Sequence, residues 1–318
     1  MDEFSLLNLV HKNFKIKNKD VVSSIGDDTA VIDVGAKKLL FTVDSLVENI
    51  HFRRDWGAPI DWGIKAMAMN ISDIAAMGGK PLYALIAWNK GNLTDIEIEG
   101  VVKGIKKISE KFSVDLVGGN ISDSKEFSLN ITLVGECDKP IYRAGAETGD
   151  LIVVTGDIGD AALGLKLLLD NNEIQINDFD DIIKKQLRPV PRINEAIVIS
   201  EYAHSMMDIS DGVLLDLNRL LAESEKGAII YTDKLPRSKS FLEFLRNRKV
   251  NSDDSIFWGG EDYELLFTVS EEGYEKLLEK YNYGTKLTII GVIKEKKGLF
   301  VDEKDRLTEV VSPVGWIH

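Results

Sequence analysis

Cysteine is almost absent from this chain: one residue, Cys137, in 318. A single thiol excludes an internal disulfide framework and fits a reducing compartment, so a cytoplasmic protein is expected. Histidine is scarce too, with four scattered residues, which argues against a zinc set built from imidazole and thiolate. No apolar run approaches the roughly 18 residues of a membrane span. The first residues, Met1, Asp2, Glu3 and Phe4, lack the basic-then-apolar layout of a secretory leader. Positive charge is in deficit, 39 basic against 52 acidic residues for a net charge of −13. That balance argues against a nucleic-acid backbone as partner. There is neither a Gly-x-x-x-x-Gly-Lys-Ser/Thr loop nor a Gly-x-Gly-x-x-Gly turn, and no Ser/His/Asp or Cys/His arrangement for covalent catalysis stands out. No internal repeat or low-complexity tract is present.

What the chain has is apolar periodicity and acid. Its length suggests two domains. Around residues 61–81, Ile64, Ala68, Ile71 and Ala75 fall at helical spacing, and Gly78, Gly79 and Pro81 give a stop. Asp73 shares the Trp62–Ala66–Met69 line of that helix, and a carboxylate on an apolar face needs something positive to meet it, either an ion-pair partner, a cap or a metal. Residues 3–14 read as a short amphipathic helix. Strands are expected at 21–32 around a Gly-Asp-Asp turn, at 39–44, 82–89 and 127–136, and at 114–117 running into a Gly118-Gly119 turn. Residues 94–112 read as an amphipathic helix. The pattern is an α/β (α+β) mixture with helix crossovers in residues 1–138, a polar linker at 139–149, and a second α/β domain in 150–318. In that second part, strand 151–155 meets a Gly-rich turn, Gly156 to Asp160, opening a helix; this is either anion-binding geometry or an ordinary tight turn. Residues 173–183 read as a surface loop and helix start. Ser210 is placed as the N-cap of a helix bearing Leu214, Leu217, Leu220 and Leu221, with Asp208 and Asp211 flanking it. Gly259 and Gly260 precede an acidic cluster entering a strand, followed by a helix at 271–281 and a strand at 286–293.

The recurrent acids are Asp27, Asp28, Asp44, Asp73, Asp208, Asp211, Glu261 and Asp262. Most sit beside glycine, at strand ends or at helix starts, where loops carry function. Many oxygens without soft ligands suit Mg²⁺, which takes a few carboxylates together with substrate phosphates. Such a set points to polyphosphate chemistry.

The segments Gly26 to Val31, Thr42 to Phe52, Lys65 to Gly78, Arg143 to Ala146, Thr155 to Asp160, Asp208 to Gly212 and Gly259 to Phe267 occur in an order that resembles the thiamine-monophosphate kinase family. The likeness runs from about residue 3 through the Gly-Trp-x-His ending. It implies the two-domain fold of the aminoimidazole ribonucleotide synthetase superfamily, in which an N-terminal mixed sheet dimerises beside a C-terminal α/β domain. It implies ATP-dependent conversion of thiamine monophosphate to thiamine diphosphate with several Mg²⁺ ions, in a homodimer. Matched motif by motif, Asp28, Asp44, Asp73, Asp208 and Asp211 resemble metal ligands, with Asp73 and Asp211 the catalytic pair, and Thr42, Val43 and Asn120 add oxygen. Gly119, Asn120, Arg143 and Ser210 resemble ATP contacts, and His51, Glu261 and Trp316 substrate contacts. Two departures bear on this: Asn120 stands where the family often has Asp, and Val43 where a hydroxyl residue is common, so Val43 offers only its carbonyl.

The nucleophile implied is an oxygen of the substrate's own phosphate, already ionised, so no general base is required and alignment with charge neutralisation carries the rate. Glu261 and a stacking Trp316 suit a cationic thiazolium. Sister reactions of the superfamily compete: selenophosphate synthesis, purine ring closure and a hydrogenase-maturation dehydration. A nucleotide-binding regulator without catalysis is a further alternative. Two of the sister types use a cysteine near one terminus, whereas Cys137 lies in mid-chain and the C-terminus is His318.

Overall fold

The computed structural model describes residues 9, 13, 16–24, 26–170, 179–248, 259–302 and 306–310. Of the expected helix at 3–14 only Leu9 and Asn13 are described, both helical; Trp316 lies outside the described residues.

The first half builds a six-stranded sheet from β1 (Val21–Ser23), β2 (Ala30–Asp33), β3 (Lys38–Val47), β4 (Lys80–Asn89), β5 (Asp115–Ser122) and β6 (Ser128–Cys137), in the order β1-β2-β3-β6-β4-β5. All pairings are antiparallel except β4 with β5. A parallel pair needs a long crossover, supplied by helix α2 (Asp95–Phe112). Helix α1 (Pro59–Ala76) joins β3 to β4. Pro59 presets its first turn, and the Asp61 carboxylate accepts the Ala58 N–H at 2.9 Å, so acid and proline together start the helix. It ends where the sequence places the stop: Gly78 takes a left-handed φ of 70°, and Gly78 and Gly79 donate N–H groups to Ala75 and Ile74 at 2.8 and 2.9 Å. Fifteen of its eighteen residues are buried, which marks a helix enclosed on nearly every side.

One expected turn is strand instead. Gly118 and Gly119 continue β5 to Ser122. A Cβ on Gly119 would fall 2.0 Å from the Ile86 carbonyl oxygen, so the glycine permits close strand approach rather than a reversal.

The second half forms a seven-stranded sheet from β7 (Leu151–Thr155), β8 (Ser205–Asp208), β9 (Gly227–Tyr231), β10 (Leu265–Val269), β11 (Leu287–Lys294), β12 (Gly298–Asp302) and β13 (Leu307–Glu309), ordered β13-β12-β9-β11-β7-β10-β8. Around it lie α3 (Asp160–Asp170), α4 (Asp180–Leu187), α5 (Ile193–Ile199), α6 (Val213–Ser224), α7 (Lys239–Arg248) and α8 (Glu271–Lys280). Residues 138–150 are irregular, as their composition predicts, yet pinned: Ile141 donates to Met77 O at 3.2 Å and Met206 to Tyr142 O at 3.0 Å.

The apolar core does not divide where the sheets do. Leu265 and Phe267 of β10 join Met67, Ile71 and Ile74 of α1 in one cluster. Leu266 faces a second cluster with Val154, Leu214 and Leu217. Alternation along β10 thus sends one face to each core, and α1 packs against both halves of the chain.

Candidate active site

Three distant segments converge at the end of α1. Asp28 follows the Gly26 turn before β2, Asp73 lies in the last turns of α1, and Asp208 ends β8. One carboxylate oxygen from each lies within 4.8 Å of the others. Each acid is aimed by a neighbour. Thr42 of β3 donates its hydroxyl to Asp73 Oδ2 at 2.5 Å, and Ser72 donates to Asp208 Oδ2 at 2.5 Å. Arg143 grips Asp28 through Nη2 at 2.7 Å and Nε at 3.3 Å. Asn70, the third polar residue of the helix, accepts the Asp44 N–H at 3.0 Å and so locks β3 to α1.

Electrostatics make this a costly cluster without a cation. Burial first, then the charges of Asp44, Asp208 and Asp28, push the Asp73 carboxyl well above the usual range; the Thr42 bond opposes this. Asp208 is raised in the same way by burial and by Asp28, with Ser72 and Arg143 opposing. Asp27 is raised to about 6 by burial and by Asp28. Like charges gathered in a half-buried site favour protons or metal ions. The donor set of the trio is all carboxylate oxygen, which fits a hard divalent cation such as Mg²⁺.

Asp211 lies beyond this trio. Its carboxylate accepts from Arg219 Nη1, and Arg219 also donates to Asp216 Oδ1 at 3.1 Å. The expected Ser210 cap is corrected here. Gly212 holds the N-cap position, and α6 begins at Val213. Asp216, one turn in, accepts the N–H groups of Asp211 and Gly212, both at 3.0 Å. Its carboxylate thus reaches back to the amides just ahead of the helix, so the loop is tied down from inside α6 rather than by a serine cap. Burial and Asp211 raise Asp216 to about 7.

Ser210 has a different task. Its carbonyl accepts the Glu261 N–H at 2.7 Å, while Tyr263 donates to Ile209 O at 2.9 Å. The Asp208–Gly212 and Gly259–Glu264 loops therefore run against each other, prolonging the β8–β10 ladder. Gly260 is required at the contact, because a Cβ there would sit 2.1 Å from Ser210 O.

The Gly-rich turn before α3 presents its amides as anion-binding geometry would, but the chain supplies the anion. Asp262 accepts the N–H of Gly159 at 2.7 Å and of Ala161 at 3.2 Å. Burial raises that carboxyl to about 8, against the pull of these two bonds.

His51 and Glu261, 210 positions apart, are linked by Lys65 of α1. Its ammonium lies 2.7 Å from Glu261 Oε1 and donates to the His51 carbonyl at 3.1 Å. The His51 ring accepts the Val47 N–H at Nδ1, 3.1 Å away, so a neutral imidazole carries its proton on Nε2. Gln186 of α4 donates Nε2 to the other Glu261 oxygen, and neither it nor the role of Lys65 was legible from the sequence. A lysine in an otherwise apolar helix was the available signal, since a buried ammonium needs a partner.

Some expected site residues are not brought together within the chain. Val43 is 64% exposed and points to the sheet face opposite Thr42 and Asp44. Asn120 lies in the row Ser45–Asn130–Ala87–Asn120, on that same open face and three strands from β3, roughly 14 Å across at the usual spacing. Gly119 is in the neighbouring row, opposite Ile86.

Comparison with known proteins places this geometry. Residues 26–137 match the family "AIR synthase related protein, N-terminal domain", and residues 147–304 match "AIR synthase related protein, C-terminal domain". The chain thus has the two-domain α/β architecture of the AIR synthase-related class. It is 38% identical to a thiamine-monophosphate kinase of Aquifex aeolicus, over 100% of this chain and 98% of that protein. It is 32% identical to a thiamine-monophosphate kinase of Bacillus subtilis, over 100% and 99%. The solved structure described as AaThiL complexed with AMPPCP and TMP superposes with a TM-score of 0.88 at 37% identity, covering 100% of this chain and 97% of that one. Within its class the chain belongs to the thiamine-monophosphate kinase family of enzymes.

Proposed function

We propose that the protein transfers the γ-phosphoryl group of ATP to thiamine monophosphate, giving thiamine diphosphate and ADP. The observation that carries the reading is the convergence of Asp28, Asp73 and Asp208 from three separate segments. Its support from kinship is the solved relative described with AMPPCP and TMP. Asp28, Asp44, Asp73, Asp208 and Asp211, with oxygens of Thr42 and the Val43 backbone, would hold several Mg²⁺ ions. Bound there, those ions would neutralise the phosphates and the charge that develops on transfer. Asp73 and Asp211 are assigned as the catalytic pair, and Arg143, which grips Asp28, and Ser210 as nucleotide contacts.

The acceptor phosphate supplies its own ionised oxygen, so the chain's part is to orient both phosphates in line and keep water out. His51, Glu261 and Trp316 hold the thiamine end. Gly119 and Asn120 serve ATP across a homodimer. The open face of the first sheet exposes Val43, Tyr83 and Leu85, an apolar patch of the kind a second copy covers, and Asn120 stands on that face. Among the described residues no helix is long and apolar enough to cross a membrane.

The test is phosphoryl transfer with ATP, Mg²⁺ and thiamine monophosphate, quantifying thiamine diphosphate and ADP. Equal yields are expected, with none when Mg²⁺ is withheld or unphosphorylated thiamine is supplied. ATP binding without diphosphate formation would refute the reading in favour of a sister reaction or a regulator.

A further inference from the structure

Lys65 is 2% exposed, and an ammonium so enclosed persists only where charge and hydrogen bonds compensate its lost hydration. Its compensation is specific. Nζ meets Glu261 Oε1 at 2.7 Å and the His51 carbonyl at 3.1 Å. The other Glu261 oxygen accepts from Gln186 Nε2. Gln186 is itself 1% exposed, and its Oε1 has no partner among the described residues, leaving a buried acceptor beside Glu261. The Glu261 backbone is held at a φ of 66° with its N–H on Ser210 O. Glu261 is therefore clamped by α1, by α4 and by the loop after β8, while its side chain remains 20% exposed.

We propose that Lys65 is the positioning residue of the thiamine-phosphate pocket, fixing the Glu261 carboxylate and the His51 turn in one frame. The inference rests on the assignment of His51 and Glu261 to the substrate made above. It also changes the role of Glu261. Paired with Lys65, that carboxylate brings no net charge to a cationic ring; it offers lone pairs in a fixed direction. The two roles differ in sign. If Glu261 acted as a counter-ion, removing Lys65 would uncover a full negative charge and tighten binding of the cationic substrate. If Lys65 positions Glu261, its removal loosens binding.

The experiment first measures transfer from ATP to thiamine monophosphate by the unaltered protein, which tests the underlying reading by itself. Steady-state constants follow for Lys65→Met, Lys65→Arg and Gln186→Met, each substrate varied at saturation of the other. Lys65→Met is expected to raise KM for thiamine monophosphate about 10-fold or more, with KM for ATP changed less than about twofold. Lys65→Arg, which keeps the charge, restores most of the loss, and Gln186→Met shifts the same constant in the same direction by less. A lower or unchanged KM for thiamine monophosphate, or an equal rise for both substrates, overturns the proposal. Should Lys65→Met fail to fold, Lys65→Gln and Glu261→Gln, singly and combined, decide it. Effects that do not add are expected of groups acting through one carboxylate, and additive effects overturn it.

Discussion

Replacing Asp73 with asparagine should stabilise the metal-free protein while removing its response to metal. The Asp28, Asp73 and Asp208 oxygens lie within 4.8 Å of one another. At that separation, with an effective dielectric near 20, each ionised pair repels by about 3 kcal/mol. Arg143 on Asp28 offsets part of this, and partial protonation of Asp73 and Asp208 relieves more. A net relief of roughly 1–3 kcal/mol is expected, growing as pH rises because the raised carboxyls then lose their protons in the folded state. Asparagine keeps the shape and an oxygen for the Thr42 hydroxyl, so packing is unchanged. For a chain of this size the relief corresponds to a rise in melting temperature of a few degrees. With Mg²⁺ and ATP the order should reverse, because ligand binding stabilises the native parent by mass action and the variant far less. The kcat/KM should fall by about 100-fold or more, some 2.7 kcal/mol of transition-state stabilisation. The assay is thermal unfolding of both proteins in chelator and in Mg²⁺ with ATP, alongside turnover. A variant that melts lower in chelator, or gains as much from Mg²⁺ as the parent, would refute the electrostatic reasoning.

Asp262→Asn tests the carboxyl that fills the α3 amides. With a native value of about 8 against an ordinary 3.8, the folded state holds this proton more tightly than the unfolded one. It therefore loses stability as pH rises through that window, by up to about 1.4 kcal/mol per pH unit. The variant should gain on the parent between about pH 6 and 8 in chemical denaturation, and parallel pH curves would contradict this. Gly260→Ala forces apart two loops in contact, since its Cβ would lie 2.1 Å from Ser210 O; a loss of about 1–3 kcal/mol is expected by urea unfolding, with turnover falling further than stability. Arg143→Lys keeps the charge but gives up the two-point grip on Asp28. A KM for ATP raised about 10-fold is expected by steady-state kinetics, and an unchanged value would remove Arg143 from the nucleotide site.

The sequence carried most of the elements because they follow local rules. The α1 stripe and its glycine stop were legible, as were the α2 face and the alternation of β6. The misreadings share a cause. Gly118 and Gly119 look like a turn, and Ser210 looks like a cap, because each residue type favours that conformation locally. What decides otherwise is a partner outside the residue's own turn: Ile86 across the ladder for Gly119, and Asp216, a turn further on inside α6, for the loop ahead of the helix. The Gly156–Asp160 turn was read in form but not in occupancy, since the occupying Asp262 lies a hundred residues away. Among the acids, spacing could flag Asp28, Asp73 and Asp208 singly, but only the fold brings them together. Lys65 stands in one of the matched segments, but its role was not legible because its partners His51 and Glu261 lie 14 and 196 positions away.

Helix α1 ties the two halves of the molecule together, and that restricts how they can move. Its side chains reach the second half through Ser72 to Asp208, Lys65 to Glu261 and Asp61 to Arg188, and its apolar surface lies in a core shared with β10. A hinge between the halves would have to break all three polar ties and wet that surface at once. Rigid swinging of one half against the other is therefore an expensive motion. The helix is thus a fixed spine, and any opening at the site falls to the less densely tied segments around it rather than to the two halves swinging apart.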